Sequence, residues 1–263
     1  MKVLAALVAL VLLAGAGEPA PVIKRIAAEE AAQGVASDGT HAYAVDNSRI
    51  AKYRIADGTR VAQWQGDPTV FPHLNSCTVV RRDLVCASSN YPALPQASSV
   101  EVFDLRTLRH RRSHSFGIAE GSLTALDRHA GAWWAVFAHY TGRGDVPGID
   151  NGYGQLVRLD DQFRPLERWR FPPAMLARMG THSASGASWT RDGRLAVSGH
   201  DRAEIYIVAL PEAGTVLTLD ATLPIGTEGQ AIDWDPKRPF ALWSISRGKR
   251  EMVLSDFAGS HAR

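Results

Sequence analysis

GTHSASGASWTRDGRLAVSGHD, from Gly180 to Asp201, is the stretch on which the reading of the fold turns. Two short apolar runs, Ala187 to Thr190 and Leu195 to Ser198, are of strand length and meet at Asp192-Gly193, a tight-turn dipeptide. A hairpin of this kind puts His182, ahead of its first strand, and His200, behind its second, at one end. SASGAS lacks the GxSxG pattern, so a serine-hydrolase elbow is not supported.

Working outward, the same unit recurs. QGVASDG, THAYAVDN, IAKYRIADG and RVAQWQ form one set of four strands, and LNSCTVV, DLVCASSN, SSVEVFDLRTL and RRSHSFG form the next. GSLTALD, AWWAVFAHY, QLVRLDDQF and LERWRF follow, then GASWTRD, RLAVSGHD, EIYIVAL and TVLTLDATL. The last unit, GQAIDWD, FALWSIS and REMVLSDF, stops one strand short. VIKRIAA, Val22 to Ala28, is a strand without a neighbour of its own and supplies the missing one. Units of four strands at a period of about 40 to 60 residues signal radial blades rather than a sandwich. The expected fold is all-β: a five-bladed β-propeller of four-stranded antiparallel blades, its ring closed by the N-terminal strand. A six-bladed propeller or another all-β barrel is the alternative. Only Phe171 to Gly180 reads as a helical turn.

The ends and the composition set further bounds. MKVLAALVALVLLAGAGEPA carries one lysine, a short apolar run and the small-residue site Ala14-Gly15-Ala16, so residues 1–20 read as a cleavable leader and 21–263 as one domain. The protein is then expected to be periplasmic or secreted, monomeric and free of the membrane after cleavage. A net charge of +2 with acids and bases interspersed offers no stripe for nucleic acid. If Arg81-Arg82 centre a two-residue turn in CTVVRRDLVC, Cys77 and Cys86 face each other. An oxidising compartment would join them; the alternative is two small buried thiols.

The repeat also aligns single residues. Gly121, Gly186 and Gly229 each precede an aspartate by six positions, at Asp127, Asp192 and Asp235. Glu120 and Glu228 stand before two of those glycines, and Gln33 before Gly34. His73 and His182 match each other, as do His139 and His200 at the far end of second strands. In a propeller the inner strand begins on the face where the second strand ends. His73, His139, His182, His200, Glu120 and Glu228 are therefore expected around the top mouth of the channel, with Asn90 and Arg247 at equivalent loop positions.

Neutral imidazoles with a carboxylate make a first shell for a divalent ion such as zinc, manganese, iron or copper. The ligands expected are His73, His139, His182 and His200. The alternative is that these groups cap strand ends around a wet channel. The long loops Tyr91 to Ser98 and Thr141 to Gly154 enlarge the same face, and Asp145 and Asp150 are candidates for calcium in an otherwise ordinary surface loop. His110, His114 and His129 fall on outer strands or turns. The tryptophans are spread over the blades and suit packing between sheets.

EGQAIDWD, Glu228 to Asp235, resembles the inner strand of lactonase-like and esterase-like propellers, in which the glutamate is a metal ligand. As an architecture the chain resembles exported bacterial proteins of the broad five-to-seven-bladed propeller superfamily, with its lactonase-like and cyclase-like branches. Two functions are expected to compete. One is a metal-assisted hydrolase, lactonase, lyase or isomerase of a small oxygen-rich substrate, with Glu120 or Glu228 as general base and Asn90 and Arg247 binding substrate. The other is a non-catalytic scaffold binding a peptide, glycan or protein on that face.

Overall fold

A computed structural model describes residues 17–260 apart from 143 and 145. The leader up to residue 16 and Asp145 thus lie outside the described residues. After strand β1 (Val22–Ala27) the chain forms blade one from β2 (Gly34–Ser37), β3 (His41–Asp46), β4 (Arg49–Arg54) and β5 (Arg60–Gln65). Blade two is β6 (His73–Val80), β7 (Asp83–Ser89), β8 (Ser98–Asp104) and β9 (His110–Gly117). Blade three is β10 (Ser122–His129), β11 (Ala132–Ala138), β12 (Gln155–Leu159) and β13 (Pro165–Arg170), followed by the two-turn helix α1 (Pro173–Met179). Blade four is β14 (Gly186–Trp189), β15 (Leu195–Ser198), β16 (Glu204–Ala209) and β17 (Thr218–Pro224). Blade five is β18 (Asp233–Trp234), β19 (Ala241–Ser246), β20 (Glu251–Asp256) and, outermost, β1.

The fold is thus a five-bladed β-propeller of four-stranded antiparallel sheets, and the six-bladed alternative falls away. The ring closes by β1 pairing with β20, from Val22 opposite Ser255 to Ala27 opposite Glu251. Ile26 is buried from that strand in the apolar layer between blades five and one, with Trp243, Met252 and Val35. Each remaining blade junction holds such a layer of its own, for example Tyr43 with Leu84 and Phe103, or Trp134 with Trp189. Alternating strand residues feed the layers on either side, so each sheet is apolar on both faces.

Inner strands converge on the channel so tightly that a side chain has no room at some positions. A Cβ on Gly34 would lie 2.7 Å from the Asn75 carbonyl oxygen, and one on Gly186 would lie 2.5 Å from the Ala231 Cα. At the bottom end the same strands present polar side chains. Asp127 of blade three accepts hydrogen bonds from the Trp189 amide of blade four (2.8 Å) and the Thr78 hydroxyl of blade two (3.3 Å). Ser188 of blade four lies 3.4 Å from both Asp127 and Asp233, and Asp233 of blade five accepts from the Ser37 amide of blade one (2.8 Å). All five blades are thereby stitched around the lower mouth.

In blade two, Cys77 and Cys86 sit opposite each other with Cα atoms 3.9 Å apart and form a disulfide. The two-residue turn Arg81-Arg82 sets that register, with Arg81 at φ 58°.

Deleting 17–27 removes the closing strand, opens an edge along β20 and exposes the layer around Trp243. The melting temperature is expected to fall far more than on trimming 261–263, and equal losses would count against ring closure as the main constraint. Asp233 is buried, and that burial followed by the nearby Asp127 charge pushes its carboxyl well above the usual 3.8. A raised carboxyl favours the fold below the unfolded value and costs stability as pH rises toward the folded one. Asp233→Asn is therefore expected to gain stability relative to wild type as pH rises above the usual carboxyl value of 3.8. Thermal melts of the two proteins across that range check this; a difference independent of pH would contradict it.

Candidate functional site

Three of the four histidines gather at the top of the channel. His73 enters at the start of β6, His182 just ahead of β14, and His200 two residues after β15. Together with Arg247, which follows β19, they line a cavity of about 310 Å³ whose walls also include Asn75, Thr124, Tyr140 and Gln230. Tyr91 forms part of the roof, its ring 4.6 Å from that of Tyr140 and 5.7 Å from that of His73. An adjoining cavity of about 580 Å³ shares His200 and Arg247 and adds Asp46, Asp201, Glu228 and Arg250.

His182 and His200 stack face to face, with ring centres 4.0 Å apart and planes 9° from parallel. Asp201 joins them: its Oδ1 lies 2.5 Å from His200 Nδ1 and its Oδ2 lies 3.0 Å from His182 Nδ1. Arg247 Nη1 sits 3.1 Å from His200 Nε2. Because a guanidinium only donates, Nε2 of His200 is the acceptor, and its proton is on Nδ1, toward Asp201. Burial, opposed by the Asp201 hydrogen bond and helped by the charges of His182 and Arg247, lowers the His200 pKa. For Asp201, burial raises the pKa, but the hydrogen bond and charge of His200, with those of His182, hold it below the usual value. The result is a carboxylate spanning two imidazoles, with a cation on the far side of one.

His73 points its Nδ1 at Asn47 Oδ1 (2.7 Å), so its Nε2 carries the lone pair. Burial first, and then the Arg247 guanidinium, push its pKa down to about 4. Glu228 accepts from the Gly248 amide (3.0 Å) and the Ser246 hydroxyl. These contacts outweigh burial, and its pKa is lowered.

The other expected residues are placed elsewhere. His139 stays within blade three, against Gly121 and with its ring 6.5 Å from Tyr153, and lines neither cavity. Burial and then Arg170 lower its pKa. Glu120 is drawn outward by Arg168 of β13, which grips both carboxylate oxygens at 2.5 and 2.8 Å. Asn90 staples its own loop, donating to the Pro95 carbonyl (2.9 Å) and accepting from the Ala97 amide (2.8 Å). Asp150 caps the short turn Asn151–Tyr153 by accepting from the Gly152 amide at 2.9 Å. His110 pairs with Glu101, while His114 and His129 pack on Phe163 and Trp189.

No protein-family model and no curated protein matches the chain. Solved structures do. The PQQ-bound aldose sugar dehydrogenase of Streptomyces coelicolor superposes with a TM-score of 0.55 at 11% identity, over 89% of this chain and 96% of that one. Kuenenia stuttgartiensis hydrazine synthase gives 0.49 at 12% identity, over 85% and 70%. The β-propeller domain of Cps50 (Swd1) from Myceliophteria thermophila gives 0.44 at 11% identity, over 84% and 82%. At such identities the likeness is one of fold, and the chemistry has to be argued from the site.

Asp201 was not among the expected site residues, although it follows His200 directly. The available signal was the Gly-His-Asp run at the end of a second strand. Asn47, Asn75, Tyr140 and Gln230 carried none, since each joins the cavity only through the meeting of blades.

Ring-proton titration by NMR is expected to find His73 titrating at about 4, against the usual 6.5. Removing the neighbouring guanidinium in Arg247→Ala should raise the values of both His73 and His200. An unchanged His73 titration in that variant would mean that Arg247 does not face it.

Proposed function

We propose that the protein is an exported enzyme acting on a small, oxygen-rich, anionic substrate at the top of the channel, as a hydrolase, lactonase, lyase or isomerase. The observation that carries this reading is Asp201 spanning His182 and His200 while Arg247 rests on the free nitrogen of His200. Arg247 suits a substrate carboxylate, which its fork can bind through two parallel hydrogen bonds. Turning toward the substrate, it leaves His200 Nε2 exposed as a base. Asp201 keeps that imidazole in the right tautomer and stabilises the imidazolium formed on proton uptake. His73, its Nε2 also unprotonated, is a second acceptor in the same cavity. Glu228, held ionised beside the adjoining cavity, replaces Glu120 as the carboxylate best placed to contact substrate. Export is supported by the apolar, small-residue leader and by the Cys77–Cys86 disulfide.

A second reading is favoured by the donor atoms of His182, His200 and Asp201, which all lie within 4.8 Å of one another. A divalent ion held there would polarise a carbonyl or acidify a bound water. Ligation through His200 Nδ1 moves the remaining ring proton to Nε2, facing the Arg247 donor, and ligation through Nε2 displaces Arg247 directly. An ion and the present Arg247 contact are therefore alternatives.

Turnover of a panel of lactones and hydroxycarboxylates tests the enzyme reading. For the substrate found, Arg247→Ala is expected to raise KM about tenfold or more, and His200→Ala to lower kcat by roughly 100-fold. Substrate that binds but is never turned over would leave only the scaffold. Elemental analysis of protein purified without added metal, beside His182→Ala, separates the two chemistries: a stoichiometric ion lost in the variant selects the metal site, and metal-free, active enzyme selects the Arg247 arrangement.

A further inference from the structure

The bottom face holds a second, chemically different cleft. It lies between blades one and two, has a volume of about 700 Å³, and is lined by Lys52, Arg81, Arg82, Arg106 and Arg111 together with only two carboxylates, Asp38 and Asp104. In sequence these cations are interleaved with acids; the fold brings three separate segments together. Arg81 and Arg82 form the turn between β6 and β7, Arg106 lies in the turn between β8 and β9, and Lys52 comes across from β4.

Two observations point to a ligand. Lys52 is only 9% exposed, yet among the described residues its ammonium has no carboxylate partner. Its neighbours are the Leu105 carbonyl oxygen at 3.1 Å and the face of Tyr43, 5.5 Å from the ring centre. Enclosing a cation this way is costly unless an opposite charge joins it. Arg81, Arg82 and Arg106 are exposed, and among the described residues their guanidinium groups make no hydrogen bond or ion pair. The two acids cannot compensate them. Asp38 already accepts from the Tyr43 hydroxyl (2.8 Å) and from the Thr40 and His41 amides (2.7 and 2.6 Å). Asp104 is engaged by Arg111 and by the Thr107 amide (2.8 Å) and hydroxyl (2.9 Å).

We propose that this cleft binds a compact polyanion carrying at least two phosphate groups. Arginine forks match phosphate oxygens in pairs, and a lysine point charge set deeper among them suits a multiply charged group better than a single carboxylate. The one imidazole in the lining, His41, is turned to Asp38 at 3.3 Å, and no tryptophan, tyrosine or phenylalanine lines the cleft. The cleft opens opposite the cavity that holds His73 and His200, so the bound anion does not compete with a substrate there. This inference is independent of the proposed activity.

The test uses the whole protein and inorganic tripolyphosphate, followed by calorimetry at low ionic strength. Saturable binding to wild type is expected, weakened by about tenfold or more in the double variant Arg82→Glu, Arg106→Glu. Both side chains are exposed and unpartnered, so the variant should melt as wild type does. Lys52→Met is expected to weaken binding while leaving the fold as stable or more so. Absence of saturable binding, or equal affinity in wild type and the double variant, would overturn the proposal. Flotation with vesicles containing cardiolipin, whose headgroup carries two phosphates, identifies the source of the phosphate. Vesicle binding displaced by tripolyphosphate assigns the site to a lipid headgroup, and tripolyphosphate binding without vesicle binding assigns it to a free anion. Vesicle binding that persists in the double variant and in excess tripolyphosphate would count against the cleft.

Discussion

Everything in this molecule depends on how closely the five inner strands approach one another around the channel. At Gly34 and Gly186 the approach is backbone to backbone, with no space for even a methyl group. Blades packed that tightly cannot tolerate a gap, so the ring needs its fifth blade complete. The closing pair β1 and β20 joins residues from the two ends of the chain. Two buried aspartates then link blades that are not adjacent in sequence, through Ser188. These carboxylates are costly to bury, and the amides of Trp189 and Ser37 that they satisfy are what offsets the cost.

The same convergence creates the site. Side chains that enter at the starts of inner strands or leave at the ends of second strands cannot avoid one another at the top mouth. That geometry explains why histidines from β6, the approach to β14 and the end of β15 share one cavity with an arginine from blade five. Polarity follows from position: the upper mouth is titratable and cationic, the lower mouth carboxylate-rich. Burial first, and the Arg247 charge after it, lower the pKa values of His73 and His200, which suits those two imidazoles to accept protons and leaves Arg247 to hold an anion. The bottom cleft between blades one and two arises differently, from hairpin turns rather than strand ends, and its arginines face solvent.

Much of the architecture was legible because it depends on local pattern. Strand-length apolar runs, Asp-Gly turns and the orphan strand at Val22 favoured five blades over six and showed how they close. The facing cysteines were legible as one of two alternatives, since the short Arg81-Arg82 turn permits that register. The site was legible only in part. His73, His182 and His200 came together because strand position alone brings them there. His139 occupies a position equivalent to that of His200, yet it settles against Gly121 within its own blade. Glu120 occupies a position equivalent to that of Glu228, but an arginine on the outer strand of its blade captures it, and no such arginine faces Glu228.

The sequence by itself set out the four-strand repeat, its strand order, the closure by β1 and the face on which titratable groups collect, because each follows from periodicity and chain order, while the choice of five blades over six was made by the structure. The tertiary structure alone decided which of those groups meet. Partner choice depends on distances of a few ångströms between blades far apart in the chain: Asp201 with two imidazoles, Arg247 with His200, Asn47 with His73. It likewise decided that Lys52 lies enclosed among the arginines of the next blade, since charge interspersed along a chain is regrouped by folding, and no one-dimensional pattern records that regrouping.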